Sequence, residues 1–249
     1  MVHFLASLLS TTHIIIMPAT GTSTSKQEKL FDACRDGKTK IVRKYLNDTD
    51  HVIDINWRGG DLGQSALHAA CFWDNVDIIK ILLDHGADID LPTLRYKNTP
   101  LMLACDYARL KTIKLLLNHG ANVNARNNVG ESPLHRACND DWSYYVSSTT
   151  NSSNDDAKTR LECVEELIAY GADASIENKN GETALDIIGK KSFYNGSMRA
   201  RFTTLLRSHH PQQQQNNNGS TRTNASSTRH THEIFDNMDL QRGSCCIII

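Results

Sequence analysis

Apolar residues recur at helical spacing in short paired segments along the middle of the chain. In the first pair, Leu30, Ala33 and Cys34 share one helix face. The second segment of that pair carries four apolar residues at the same spacing: Ile41, Val42, Tyr45 and Leu46. Steps of three and four residues between apolar positions predict amphipathic helices. The same pattern predicts helices over 66–72, 76–84, 100–107, 110–118 and, further along, from about 159 and over 198–208.

One short phrase begins the first helix of each pair. It reads SPLHRAC at 132–138, SALHAAC at 65–71 and TPLMLAC at 99–105, with weaker copies at 30–34 and 183–188. The cysteines of the first four copies are separated by 37, 34 and 33 residues. A second phrase, LLDHGAD at 82–88, follows the first and recurs at 116–122 and, after a longer interval, at 167–173. The middle of the chain is therefore a set of repeats.

Each residue of the two phrases has a local reason. Ser or Thr at the start caps the first helix by accepting a hydrogen bond from a free backbone N–H. Pro at the next position costs no hydrogen bond, because the first helical N–H has no partner inside the helix. Gly86, Gly120 and Gly171 follow the second helix, where a left-handed residue ends it.

A repeat of this length with the core T-P-L-H-x-A resembles the ankyrin-repeat family, from residue 26 to about 208. The resemblance implies an all-α repeat solenoid of about five helix-turn-helix repeats with β-hairpin fingers. It also implies a non-enzymatic domain that binds proteins on an extended concave face. In that family His68 and His135 would hydrogen-bond the backbone of the neighbouring hairpin.

Histidine and cysteine in one phrase also suggest a metal or catalytic site. Met102 replaces the histidine in the third repeat, which a metal site would not tolerate. Stacked repeats place Cys34, Cys71, Cys105 and Cys138 roughly 10 Å apart, too far for one metal ion or one disulfide. We therefore expect scaffold residues, no catalytic residue, no metal and no cofactor. Free thiols fit a reducing compartment.

The repeats occupy residues 26–208 and are flanked by segments of different composition. Residues 1–25 form an apolar and Ser/Thr-rich leader without the basic start of a signal peptide, and translation from Met17 is an alternative. Residues 209–249 are rich in Gln, Asn and Ser, which predicts a disordered tail. Within the fourth repeat, 139–158 contains 18 inserted residues. The insertion's Trp142, Tyr144 and Tyr145 are either interface anchors or an extension of the first helix over an exposed edge.

The last four residues, Cys246 to Ile249, resemble a C-a-a-X prenylation box. One lipid binds membranes only marginally, so Cys245 is the candidate for a second, palmitoyl group. No polybasic cluster precedes the box, because Glu233, Asp236 and Asp239 offset Arg229 and Arg242. The nearby apolar residues are expected to form a transient amphipathic turn: Ile234, Phe235, Met238 and Leu240. A chance apolar terminus is the alternative reading.

The partner-binding surface should combine the fingers with the first helices. Its expected members are Trp57, Arg58, Asp61, Phe72, Trp73, Leu94, Arg95, Tyr96, Tyr107, Arg109, Arg126, Asn127 and Asn128. Aromatic and Arg side chains of this kind dominate interface energies. A net charge of −1 gives no field for nucleic acid.

The sequence therefore predicts a monomeric adaptor with an unidentified protein partner, held at a cytoplasmic membrane face by its tail. The alternative is a soluble regulator or inhibitor of a signalling or transcription protein. An enzyme, or an adaptor to a modifying enzyme, ranks last because no catalytic motif or recruiting segment is visible in the sequence.

Overall fold

The computed structural model describes residues 25–48, 53–139, 153–190 and 196–209. This part of the chain contains ten helices. They are α1 Lys26–Arg35, α2 Thr39–Leu46, α3 Ala66–Phe72, α4 Val76–Asp84, α5 Pro100–Asp106, α6 Leu110–Asn118, α7 Pro133–Cys138, α8 Ser153–Ala169, α9 Ala184–Lys190 and α10 Gly196–Ser208.

The helices stack as two layers of a solenoid. Each odd-numbered helix contacts the next one, from α1 through α3, α5 and α7 to α9, and forms the inner layer. The even-numbered helices form the outer layer in the same way. Five helix pairs follow one another, which confirms the predicted repeat architecture.

The core lies between the two layers and is built from the repeated apolar positions. Leu67, Leu101 and Leu134 occupy one position of the phrase and are at most 1% exposed. Cys34, Cys71, Cys105 and Cys138 are fully buried, as predicted for small core residues. The final helix closes the stack with Phe202 and Leu206, both buried. Within the described part of the chain no helix is long and apolar enough to cross a membrane.

The predicted caps are present. The Ser65 side chain accepts a hydrogen bond from the N–H of His68, and the Thr99 side chain accepts one from the N–H of Met102. Gly86, Gly120 and Gly171 follow the second helices with φ near 85°. The left-handed conformation ends each helix and turns the chain toward the next finger.

The fingers are tighter than the predicted β-hairpins. In the first finger, the Gly59 and Gln64 backbones exchange two hydrogen bonds of 3.0 Å and form an isolated antiparallel bridge. In the second finger the N–H of Thr93 donates to Asn98 and that of Lys97 donates back to Thr93, and in the third the N–H of Asn127 donates to Glu131. No longer strand occurs among the described residues, because each finger is too short for a ladder.

Several predicted boundaries and one predicted core position differ from the structure. Helix α5 ends one residue earlier, at Asp106, whereas α8 begins at Ser153 and α10 at Gly196, both earlier than predicted. Ile41 is 41% exposed, so it does not share the buried face of Val42. The predictions for the leader, for most of the insertion (including Trp142, Tyr144 and Tyr145) and for the tail lie outside the described residues.

Candidate protein-binding surface

Backbone hydrogen bonds join four fingers into one continuous row. The N–H of Leu94 donates to the Gly63 carbonyl at 3.2 Å, linking the first and second fingers. The N–H of Asn128 donates to the Tyr96 carbonyl at 3.0 Å, and the N–H of Lys179 to Val129 at 2.9 Å. Each finger therefore holds its neighbour in a fixed register, which gives the array one ordered edge.

The first finger is shaped by Trp57. A Cβ atom on Gly59 would lie 1.8 Å from the Trp57 ring, so the ring covers this glycine directly. Arg58 extends to the second finger, where its Nη1 donates to the Pro92 carbonyl at 3.0 Å. Trp57 and Arg58 are half-buried, whereas Asp61 at the tip is exposed.

The second finger is the most exposed and the most basic. Leu94 is 50% exposed and lies over Gly63, where a Cβ would meet it at 2.3 Å. The Arg95 guanidinium lies 5.3 Å from the Tyr96 ring centre, within the range of a cation–π contact. Lys97 is exposed and has φ of 59°.

The three residues predicted on the third finger differ in exposure and in the contacts that they make. Asn128 is exposed, and its Nδ2 donates to the Arg95 carbonyl at 2.9 Å. Asn127 is 8% exposed, and its amide contacts Asn98, Glu131 and the turn backbone. Asn127 therefore holds the finger together, which corrects its assignment to the partner-binding surface. Arg126 is exposed and donates to the carbonyls of Gly130 and Glu177.

An aromatic cluster lies at the C-terminal ends of α3 and α5. The Phe72 ring is 5.1 Å from that of Trp73 and 4.2 Å from that of Tyr107, in edge-on and tilted arrangements. Arg109 lies 5.9 Å from the Tyr107 ring, and its Nε donates to the Phe72 carbonyl at 3.0 Å. Trp73 is 47% exposed and supplies the open face of this cluster.

A buried charge cluster between the third and fourth repeats has no counterpart in the predicted site. The Arg136 guanidinium donates to both carboxylate oxygens of Asp106, at 2.5 and 2.8 Å, and to Glu131 at 2.9 Å. Burial alone would lower the pKa of Arg136, but the carboxylates of Asp106 and Glu131 raise it above its ordinary value. Burial raises the pKa of Asp106, and the bidentate Arg136 guanidinium opposes that rise. The cluster's only sequence signal is the change from Ala69 to Arg136 at one repeat position.

Arg160 completes this cluster from α8. Its side chain is buried and donates to three backbone carbonyls, those of Asp106 at 2.8 Å, Asn139 at 3.1 Å and Ala137 at 3.4 Å. These carbonyls lie at the C-terminal ends of α5 and α7, where the last carbonyls of a helix have no partner within it. In earlier repeats Asn75 and Arg109 donate to the equivalent carbonyls, those of Arg35 and Phe72. Arg160 thus takes over their role in the repeat that contains the insertion.

The two repeated histidines are scaffold residues, as the family resemblance implies. His68 Nε2 lies 3.1 Å from the Asn98 carbonyl, and His135 Nε2 lies 3.0 Å from that of Glu182. The N–H of Ser65 donates to His68 Nδ1, so the ring is neutral and carries its proton on Nε2. Burial lowers the pKa of His68 to about 4 and also lowers that of His135. Each ring ties one first helix to the next finger.

The buried thiols have no nucleophilic character. Burial raises the pKa of Cys34, Cys138 and Cys163 to about 12 and raises those of Cys71 and Cys105 as well. The thiolate is the reactive form of cysteine, and its population at neutral pH is negligible at such values. Among the described residues, no three His, Cys, Asp or Glu side chains are placed to share a metal ion.

A ladder of side-chain oxygens joins the repeats on the side where each finger begins. Asn56, Asp90 and Asn124 lie 34 residues apart and accept the N–H of Asp88, Asn122 and Asp173 respectively. The donor–acceptor distances are 2.8, 3.0 and 2.8 Å. Sequence reasoning missed this ladder, although its constant step of 34 residues was a usable signal.

Two family models of ankyrin repeats match the chain. One, for three copies of the repeat, covers residues 8–93, and another, for many copies, covers residues 82–137. Together they extend over more than half of the chain, and the helix pairs, fingers and histidine contacts agree with them. The chain belongs to the ankyrin-repeat family, whose members mediate protein–protein interaction.

Several curated proteins are similar to this chain over the repeats. Human B-cell lymphoma 3 protein is 31% identical over 61% of this chain and 30% of its own length. Human ankyrin repeat domain-containing protein 37 is 30% identical over 45% of this chain and 60% of its own length. The mouse serine/threonine-protein kinase TNNI3K is 35% identical over 30% of this chain, but only 10% of the kinase is covered. The chain thus spans less than two thirds of the length of each of these relatives.

Proposed function

We propose that this protein is a non-enzymatic adaptor that binds a protein partner on the finger row and on the aromatic cluster at the ends of α3 and α5. The observation that carries this proposal is the exposure of large apolar side chains on the finger row and at the end of α3. Trp73 is 47% exposed and Leu94 is 50% exposed. Rigid aromatic anchors of this kind commonly carry much of an interface's binding energy.

The surface is built for binding a chain rather than a small molecule. Its fingers are held by backbone hydrogen bonds, so the exposed side chains need little further ordering when a partner binds. The residues that face the partner come from three consecutive repeats, which suits an extended segment or a flat protein face.

The test is partner capture with a Trp73→Ala variant of the full chain. Partners are first identified with the wild-type protein by affinity capture and mass spectrometry, and the affinity of the purified partner is then measured. We expect a loss of about tenfold or more, since interface tryptophans often contribute more than about 1.4 kcal/mol. An unchanged affinity would show that the partner uses another surface.

Tyr170 provides the matched control. It is an aromatic residue with 43% exposure, comparable to Trp73, but it follows α8 in the outer layer. Tyr170→Ala should leave the affinity unchanged. Circular dichroism of both variants separates a lost contact from a lost fold. Substitution of a surface residue should leave the helix signal unchanged, whereas unfolding would reduce it.

We further propose that the tail places this adaptor at a cytoplasmic membrane face. The support is the sequence Cys-Ile-Ile-Ile at 246–249, with Cys245 beside it. In this reaction the Cys246 Sγ would form a thioether with the C1 carbon of a prenyl diphosphate, releasing diphosphate and a proton. A second lipid on Cys245 would make the attachment stable.

Localisation of a Cys246→Ser variant tests the tether. Mass spectrometry of the C-terminal peptide from cells first establishes where the mature chain ends and what mass Cys246 carries. With a fluorescent protein at the N-terminus, the wild type should be membrane-associated and the variant cytosolic. Equal cytosolic distribution of both would eliminate the tether and leave the adaptor proposal intact.

A further inference from the structure

The partner-binding surface holds several cations that are hydrogen-bonded to backbone carbonyls. Arg58, Arg109 and Arg126 donate to the backbone carbonyls of Pro92, Phe72 and Glu177. A carbonyl fixes the position of a guanidinium without cancelling its charge. Among the residues that the structure describes, no carboxylate forms an ion pair with these three arginines. They differ in this from Arg136, which is paired with Asp106 and Glu131.

The tip of the second finger adds two exposed cations, Arg95 and Lys97. Two nearby carboxylates are already hydrogen-bonded: Asp74 accepts from Thr112, and Asp90, at the start of the second finger, accepts from the N–H of Asn122. In the turns of the first and second fingers, residues 57–64 and 91–98, Arg58, Arg95 and Lys97 outnumber the one carboxylate, Asp61. These two turns therefore carry an excess of positive charge, although the whole chain has a net charge of −1.

Apolar side chains are interleaved with these cations. Leu94 lies next to Arg95, and Val129 on the third finger is 47% exposed. Trp73 lies beside Phe72, whose carbonyl receives Arg109. A segment that matches this surface must combine several carboxylates with large apolar residues at short intervals, because each charge needs its counterpart beside an apolar contact.

The chain itself contains such a segment at residues 233–240, EIFDNMDL. Three carboxylates, Glu233, Asp236 and Asp239, alternate there with four apolar residues. We infer that residues 233–240 bind the partner-binding surface of the same molecule, at the second finger and Trp73. This inference rests on the proposed function, since it assigns an occupant to the same partner-binding surface.

The length of the connecting chain permits this contact. Residues 210–232 are rich in Gln, Asn, Ser and Thr, a composition for which coil dimensions apply. They give a root-mean-square span of roughly 26 Å. Successive repeats are about 10 Å apart, so the second finger lies roughly 30 Å from the last repeat. A tether of matching span produces an effective concentration of about 1 mM, which favours even a weak contact.

The consequence is competition at one surface. An external partner must displace the tail segment, so its apparent affinity is reduced by the fraction of molecules in which the surface is occupied. Release of the segment would raise the affinity for the partner without any change in the repeats.

Zero-length carbodiimide cross-linking of the full chain tests the inference. The reagent joins a carboxylate to a lysine amine only when the two are in contact. We expect links from Glu233, Asp236 or Asp239 to Lys97, within one chain and suppressed by high salt. Lys80 is the matched control, because it is exposed on α4 in the outer layer. The yield at Lys97 should exceed that at Lys80 by about fivefold or more; equal yields would overturn the inference.

A Phe235→Ser variant separates a specific contact from charge attraction alone. It keeps every carboxylate, so a specific site should lose most of the Lys97 link, whereas unchanged linking would contradict a specific site. Mixing ¹⁵N-labelled with unlabelled protein detects links between two copies, and these would also overturn the inference. The same variant should bind the captured partner more tightly than wild type. If Trp73→Ala still weakens partner capture while the tail cross-links equally to Lys97 and Lys80, this inference fails and the proposed function stands.

Discussion

Three residues at one position of the repeat have a left-handed backbone. Gly37, Asp74 and Ala108 each follow the repeated cysteine by three residues, with φ of 70°, 58° and 49°. Glycine adopts this conformation freely, whereas a Cβ atom makes it unfavourable. Asp74 gains a hydrogen bond with Thr112 at 2.6 Å in return. Ala108 has a side chain that can make no such bond.

Replacement of Ala108 by Gly should therefore stabilise the protein. The expected gain in unfolding free energy is about 0.5–1 kcal/mol, since relief of the Cβ strain exceeds the entropy that glycine adds to the unfolded chain. Urea unfolding followed by circular dichroism measures it. Ala104→Gly, inside α5 and fully buried, is the matched control and should destabilise by about 1 kcal/mol or more. A loss of stability in both variants would show that φ at 108 is not strained.

The buried His68 ring makes stability depend on pH. Its pKa is about 4 in the folded protein and 6.5 in the unfolded chain. As pH falls from 6.5 toward 4, the unfolded state binds the proton and the folded state does not, so stability is lost in this window. The shift corresponds to about 3 kcal/mol. Above pH 7 the contribution is complete, because both states are then neutral.

Urea titrations at several pH values between 4 and 8 test this dependence. His68→Gln should flatten the loss of unfolding free energy below pH 6.5, while His135, whose pKa burial also lowers, retains a part of it. The exposed His119 serves as control, and His119→Gln should keep the wild-type profile. The same profile in His68→Gln as in wild type would assign the pH dependence to other groups.

At the scale of the helix, the ends of α5 and α7 depend on Arg160. One guanidinium serves three carbonyls that lie 21 to 54 residues away along the chain. Arg160→Met would leave these buried acceptors without a partner. We expect a loss of about 2–4 kcal/mol in unfolding free energy, as for other buried charged donors.

Lys158→Met provides the comparison, since Lys158 is exposed on the same helix two residues earlier. It should change the unfolding free energy by less than about 0.5 kcal/mol. Thermal and urea unfolding of both variants give the measurement. Equal stability of the two variants would show that Arg160 is not required to cap the helices.

At the scale of the whole molecule, the repeat register could be predicted because it is local. The phrase that contains Ser132 and His135 combines a cap, a helix start and a core position, so the helix pairs and the scaffold role of the histidines follow from it. Asn127 could not be assigned, because an asparagine on a finger has the same sequence signal whether it faces a partner or its neighbour. Its burial depends on the contact with Asn98, 29 residues away.

The charge cluster escaped prediction for a similar physical reason. Asp106, Arg136 and Arg160 belong to three different helices, and nothing in the local pattern of any one of them specifies the other two. Arg160 also lies directly after the insertion, where the register is interrupted. Pairings between helices depend on tertiary packing, whereas the repeat period and the helix caps are determined by residues close together in the sequence.

The contacts of Arg160 also have a consequence for how this chain can change over evolution. Asn139 and Ser153 are the last and first described residues on either side of the insertion, and the helix ends there are satisfied by Arg160. The donors at the ends of α5 and α7 therefore include a residue that lies outside the intervening segment. Longer closed loops cost little additional entropy, about 0.6 kcal/mol for each doubling. We therefore predict that a peptide grafted between residues 139 and 153 leaves the Arg160 contacts to α5 and α7 in place.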